Sequence, residues 1–189
     1  MESDVSGYKK LKEPSLSRLA LISLPVGLIA ALLLFIITQY LTSVKISIDL
    51  FYLFKDVKLI ILAILGFISF NIIIIIVHEF LHAIIFPEKL SSDNIIFGVY
   101  RSSMFFAFYK LDMKRERMII CMLFPILLLS MVPLVFIIML NINLPIINFL
   151  ILYHITLSSG DLVGVYLILI NSPKGCYLKN KGYHTYYRM

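Results

Sequence analysis

Three ionisable residues fall within five positions of an aliphatic stretch: His78, Glu79 and His82 in IIIIIVHEFLHAIIF, residues 72–86. On a helix, residues i and i+4 share a face one turn apart. His78 and His82 can therefore offer imidazole nitrogens to a single metal ion, at bond lengths of about 2.0–2.1 Å. Glu79 is turned by about 100° from His78, so it flanks the ion rather than joining the pair. From that flank a carboxylate can take a proton from an activated water and return it to a leaving amine. Zinc suits the role because it brings the pKa of a coordinated water toward about 7. The bland alternative is a pair of helix histidines hydrogen-bonded to neighbouring helices. A charged side chain at mid-bilayer costs about 2.5–3.5 kcal/mol on insertion scales. Three such groups together need a strong compensating interaction, which favours the metal.

A catalytic zinc takes a third protein ligand and keeps a fourth position open. The long apolar runs hold two other ionisable residues, His154 and Asp161, both in YHITLSSGDLVG. Depth separates them. Asp161 lies about nine residues from the end of its run, and His78 and His82 lie about eight and four from theirs. At 1.5 Å per residue these three can be level, with His154 about 10 Å deeper. Gly160 and Gly164 would let helices approach closely there. Asp161 is thus the expected third ligand and His154 the alternative. Otherwise His154 is expected to be an interior histidine, or a group supporting the ligands or lining the substrate path. Asn71, seven residues before His78, either lines the cavity or bonds a neighbouring helix, and the second reading is preferred. His184, in the polar tail, has no spacing partner and no assigned role.

The elements that must position these groups are membrane spans. Of the 189 residues, 60% are hydrophobic and 15% are charged, and the mean hydropathy is +0.95. Soluble domains carry about 25% charged residues, so an ordinary soluble fold is excluded. Four apolar runs are long enough to cross a hydrocarbon layer of about 30 Å. They cover about Leu19–Leu41, Leu59–Phe86, Met118–Leu140 and Ile146–Ile170, the first read as uncleaved. The second run exceeds what a span needs, so it should tilt or project into the interface, and Pro87 marks its stop. Between the second and third runs, NIIFGVYRSSMFFAFYK predicts a short hairpin or re-entrant loop near the interface. The fold class expected is all-α: four transmembrane helices with that small hairpin or loop. The expected organisation is a polar N-terminal segment (1–18), a four-span domain (19–170) and a basic tail (171–189) lying along headgroups.

The net charge of +6 is distributed around the runs rather than in a stripe, which argues for topology and against nucleic acid as a partner. Lys and Arg number four before run one, three in the first loop, six in the second, none in the third and four in the tail. Those segments alternate sides, so the excess of basic residues places both termini and the 88–117 segment in the cytoplasm. Cys121 and Cys176 have no CxxC or zinc-knuckle spacing and are read as structural.

With these residues in view, the chain resembles the membrane zincin metallopeptidases long catalogued as a domain of unknown function, similar in arrangement to site-2 proteases. The resemblance rests on HEFLHAIIFP, FGVY, ERMIICMLFPILLL, SSGDL and the closing SPKG…GYHTYY, over roughly residues 55–187. It implies a zinc-dependent peptidase with one zinc per chain, ligands His78, His82 and Asp161, and Glu79 as base. Its partners would be a membrane protein or peptide substrate and the bilayer. In site-2 proteases the aspartate often precedes glycine, whereas here Gly160 precedes Asp161. The 88–117 segment resembles their β loop, which suggests pairing with an unwound substrate strand. A second class stays open: a non-catalytic membrane protein, whether pseudo-enzyme, immunity-type binder or metal-ion carrier. Glu79 discriminates, since a carrier has no need of a base beside two ligands.

Overall fold

Leucine and isoleucine dominate the longest helices, and most of those side chains point outward. The computed structural model describes residues 5–41, 56–100, 104–141, 145–182 and 184–189. The loop at 42–55, the Ser-Ser break at 101–103 and most of the NINLP turn (142–144) lie outside the described residues. Helix α1 spans Leu16–Leu41 and α2 spans Val57–Ile85. Residues Arg115–Leu140 form a third long rod, built from α3 (Arg115–Ile126), a π-helical turn (Leu127–Met131) and α4 (Val132–Leu140). Along α1, Leu28, Ile29, Leu32, Leu33 and Ile36 are exposed; along α2, so are Ile61, Leu62, Leu65, Ile68, Ile72 and Ile73. Contiguous apolar surface on this scale needs a non-aqueous partner. These three rods are long and apolar enough to cross a membrane.

Two shorter apolar helices follow as a bent pair. Helices α5 (Pro145–Leu157) and α6 (Ser159–Asn171) meet at a 43° bend and together are long enough for one span. The bend falls at Ser158, where the Asp161 amide donates to the Ser158 carbonyl. Helix α1 packs across both halves. The close approach there is at Gly27: a methyl added to it would meet Ser159 Cβ at 2.8 Å and the Thr156 carbonyl oxygen at 2.9 Å. This corrects the expectation for Gly160, whose added methyl would meet nothing within 4 Å, whereas Gly164 faces Met122.

Of two small sheets, the first is the hairpin expected between the second and third runs, and the second goes beyond the all-α reading. Strands β2 (Ile95–Tyr100) and β3 (Met104–Tyr109) form an antiparallel hairpin with Phe97 opposite Ala107. The tail folds into β5 (Tyr177–Lys181) and β6 (His184–Arg188), the centre of a sheet ordered β1-β6-β5-β4. Here β1 is Lys9–Lys10 and β4 is Met113–Lys114. Lys9 pairs with Tyr187 and Lys10 with Tyr186, so the two ends of the chain hydrogen-bond to each other. Arg188 and Tyr8 add side-chain bonds to Asp112 at 2.7 and 3.0 Å. Burial raises that carboxyl, but the bonds from Tyr8 and Arg188 outweigh it and hold Asp112 below the usual aspartate range.

The main core sits where the sheets meet the helix ends. Leu11, Phe86, Met113, Cys121, Ile168, Cys176 and Leu178 belong to one buried cluster. Leu11 precedes α1, Phe86 follows α2, Met113 precedes α3, and Cys176 and Leu178 follow α6, while Cys121 and Ile168 lie within α3 and α6 toward those same ends. The four rod ends therefore gather at one end of the bundle. Two arginines lock that end. Arg117 donates to the carbonyls of Ile85 and Phe86 at 2.6 and 2.8 Å, satisfying the open C-terminus of α2. Buried Arg115 donates to Ser172 Oγ at 3.0 Å and to the Leu169 carbonyl at 3.3 Å, which ties α3 to the end of α6. Both cysteines are buried and unbonded to each other.

Candidate metal centre

Helix α2 continues unbroken to Ile85, so His78 and His82 stand one turn apart on the face turned toward α3 and α6. Their Nε2 atoms are 3.0 Å apart. Asp161, in the first turn of α6, brings Oδ2 to 3.0 Å from His78 Nε2 and Oδ1 to 3.6 Å from His82 Nε2. Ligand atoms around a tetrahedral ion at 2.0–2.1 Å lie about 3.3 Å from one another. Three nitrogen and oxygen donors separated by 3.0–3.6 Å fit one such ion.

The tautomer of His82 is settled by its other nitrogen. Nδ1 lies 2.8 Å from the Cys121 carbonyl oxygen, which can only accept, so the ring hydrogen is on Nδ1. Nε2 is left with its lone pair toward Asp161 and His78. This is the arrangement typical of a metal-binding histidine, whose second nitrogen donates to a carbonyl or carboxylate.

Glu79 also belongs to the group: ligand atoms of His78, Glu79 and His82 lie within 4.8 Å of one another. Its carboxylate, however, is held from the other side. The Ala107 amide of β3 donates to Glu79 Oε2 at 2.7 Å. That amide points away from β2, so the outer edge of β3 faces the site.

Two cavities flank Glu79. One, of about 190 Å³, is lined by Glu79, His82, Tyr109, Met122, Asp161 and Asn180, among others. The other, of about 250 Å³, is lined by Ile74, Ile75, His78, Glu79, Phe105, His154 and Leu157. Glu79 lines both. Tyr109, on the wall of the first, donates to Glu88, which also accepts from Ser92 and Asn94. Those bonds hold Glu88 below the usual glutamate range, while burial and the Glu88 charge push the Tyr109 hydroxyl up to about 12.

His154 lies beside the pair, with Nε2 at 3.1 Å from His78 Nδ1. Asn71 bonds back to Phe67 and accepts from Tyr153 on α5, so it bridges helices. His184 sits in β6 near Glu13 and Lys10, in the sheet joining the chain ends.

The residues that sequence reasoning missed are Ala107, Cys121, Asn180 and Ser130. Ala107 and Cys121 act through backbone groups, which every residue possesses. Asn180 reaches the cavity only because the tail forms a sheet. For Ser130 the one signal was its place between Pro125 and Pro133 in an interrupted helix.

No curated protein and no solved structure matches the chain. A family model described as "Putative zincin peptidase" does match, over residues 71–177. The match runs from Asn71 through the His78–His82 motif, the hairpin and Asp161 to the first residue of β5. It covers more than half of the chain, which belongs to this zincin peptidase family.

Proposed function

We propose that the protein is a membrane-embedded zinc metallopeptidase that hydrolyses a peptide bond at or within the cytoplasmic side of the bilayer. The observation that carries this reading is the conjunction at α2. Two imidazoles and a carboxylate face one point, and a second carboxylate, Glu79, stands beside them against a strand edge. His78, His82 and Asp161 are the zinc ligands. When bound, zinc polarises the scissile carbonyl and makes water acidic enough to deprotonate at neutral pH. Glu79 accepts the proton of the attacking water and delivers it to the leaving amine. The Ala107 amide fixes one Glu79 oxygen and leaves the other free to work.

Substrate reaches Glu79 through the two cavities that it separates. The cavity with Ile74, Ile75, Phe105 and Leu157 suits an apolar segment, and the one with Tyr109 and Asn180 suits a polar continuation. An unwound substrate strand along the outer edge of β3 would satisfy its own backbone groups, which lipid cannot do. The test is metal content. Purified wild-type protein should carry about one zinc per chain, and a His78→Ala/His82→Ala variant should carry almost none. Equal zinc in both would end the proposal.

The same reading places both termini in the cytoplasm, with the bent α5–α6 pair as the fourth span. It is supported by the lopsided Lys/Arg distribution and by the gathering of four rod ends around one core. In intact cells, an impermeant thiol reagent should modify a cysteine placed at Asn143 and spare ones at Ser91 and Lys181. Modification at Lys181 would refute the cytoplasmic placement of the termini.

A further inference from the structure

Behind His78 runs a chain of hydrogen-bonding groups that neither the HExxH motif nor the family match assigns. His78 Nδ1 is 3.1 Å from His154 Nε2, and His154 Nδ1 is 2.7 Å from Ser130 Oγ. Both distal members are sealed: His154 is 2% exposed and Ser130 0%. They come from different rods, His154 from α5 and Ser130 from the π-helical turn Leu127–Met131. A π turn takes an extra residue, which rotates the succeeding residues around the helix axis, and such turns recur at functional sites. Here the turn carries Ser130 against the His154 ring.

The chain has two possible directions. In one, the Ser130 hydroxyl donates to His154 Nδ1, His154 Nε2–H donates to His78 Nδ1, and the hydrogen of His78 stays on Nε2, facing Asp161. That direction blocks the nitrogen facing the two other donors. In the reverse direction His78 Nδ1–H donates to His154 Nε2, and His154 Nδ1–H donates to Ser130 Oγ. His78 Nε2 then presents a lone pair beside Asp161 and His82 Nε2, at 3.0 Å from each. The metal-centre reading requires the second direction, because an imidazole coordinates through a lone pair and not through an N–H. Ser158 accommodates it: its hydroxyl donates to the His154 carbonyl at 2.9 Å and lies farther, at 3.3 Å, from His154 Nε2, whose lone pair can then accept from His78. In lipid no water replaces a missing partner, so each bond in the chain constrains the next.

We propose that His154 and Ser130 are positioning residues for the metal centre, setting the Nδ1–H tautomer and ring orientation of His78 through one directed hydrogen-bond chain. The assignment rests on the metal-centre reading above. Neither residue touches the ion or the substrate; both act through His78. Replacing outer partners of metal-bound histidines lowers metal affinity by about 10–100-fold.

The test uses full-length protein in detergent, with zinc affinity read by competition against a chelator. His154→Phe keeps a ring but no acceptor and should weaken zinc binding by about 10–100-fold. His154→Gln places an amide oxygen near the position of Nε2 and should recover most of the loss. Ser130→Ala should weaken binding on its own, yet add little to His154→Phe, because the chain is already broken. Metal-free variants melting near wild type would show that folding is intact. In ¹⁵N-histidine spectra, wild-type His78 should appear as the Nδ1–H tautomer and should lose that uniformity in Ser130→Ala. If wild type itself fails to bind zinc, the metal-centre reading falls. If wild type binds and His154→Phe binds within about twofold of it, the positioning role alone is refuted. A Gln variant no better than Phe, with both fully folded, refutes it as well.

Discussion

Membranes carrying Glu79→Gln should hold as much zinc as wild type and lose the cleavage products that wild type generates. Glutamine keeps the size of the side chain and can still accept from the Ala107 amide, now 2.7 Å from Glu79 Oε2. What it lacks is the ability to take a proton from water. General-base steps contribute about 10²–10⁴ in rate, so activity should fall by at least about 100-fold. The substrate need not be known in advance. New protein N-termini can be compared between membranes of cells expressing wild type, Glu79→Gln or neither. Termini that appear with wild type and vanish with the variant would be the products. Termini produced equally by both, with zinc present in both, would show that Glu79 is not the base. Loss of zinc in Glu79→Gln would instead assign Glu79 to the ligand set, which its distance to both imidazoles also allows.

Asp161→Ala should empty the site. The aspartate is the one donor that α6 supplies to the pair on α2, and it approaches both imidazoles, at 3.0 and 3.6 Å. Removing it leaves two ligands on one helix, one short of the three protein donors that catalytic zinc sites use. The loss in zinc affinity should exceed the 10–100-fold expected for an outer partner such as His154. Asp161→Asn should fall between wild type and alanine, since a neutral amide keeps an oxygen but loses the charge. Zinc retained after chelator dialysis gives the ranking: wild type first, then His154→Phe, then Asp161→Asn, with Asp161→Ala last. If Asp161→Ala retained zinc while His154→Phe lost it, the third ligand would be His154.

Local order in the chain carried a good part of this picture. Helical spacing alone sets His78 and His82 on one face with Glu79 beside them, because i and i+4 coincide on any helix. Long runs of leucine and isoleucine dictate membrane-length helices, because nothing else satisfies the backbone in lipid. Counting residues from the ends of those runs brought Asp161 level with the histidines. The same counting put His154 about 10 Å deeper, and there the fold intervened. The α5–α6 bend at Ser158 and the two ring nitrogens of His154 let it touch the far side of His78, at 3.1 Å, away from the nitrogen that faces Asp161 and His82.

What the tertiary structure alone decided are pairings between distant segments and groups without a side-chain signature. The pairing of Lys9–Lys10 with Tyr186–Tyr187 joins the chain ends into a sheet, because exposed strand edges seek any complementary backbone. That sheet brings Asn180 to the cavity wall. The amide of Ala107 and the carbonyl of Cys121 orient Glu79 and His82, yet any residue at those positions offers the same groups. Ser130 reaches His154 through a single π turn between two prolines. An apolar helix conceals such a turn, since hydrophobicity is nearly uniform around it and periodicity has no phase to register. Hydrophobic burial specifies which segments enter the membrane; only directional hydrogen bonds between those segments specify which polar atoms meet.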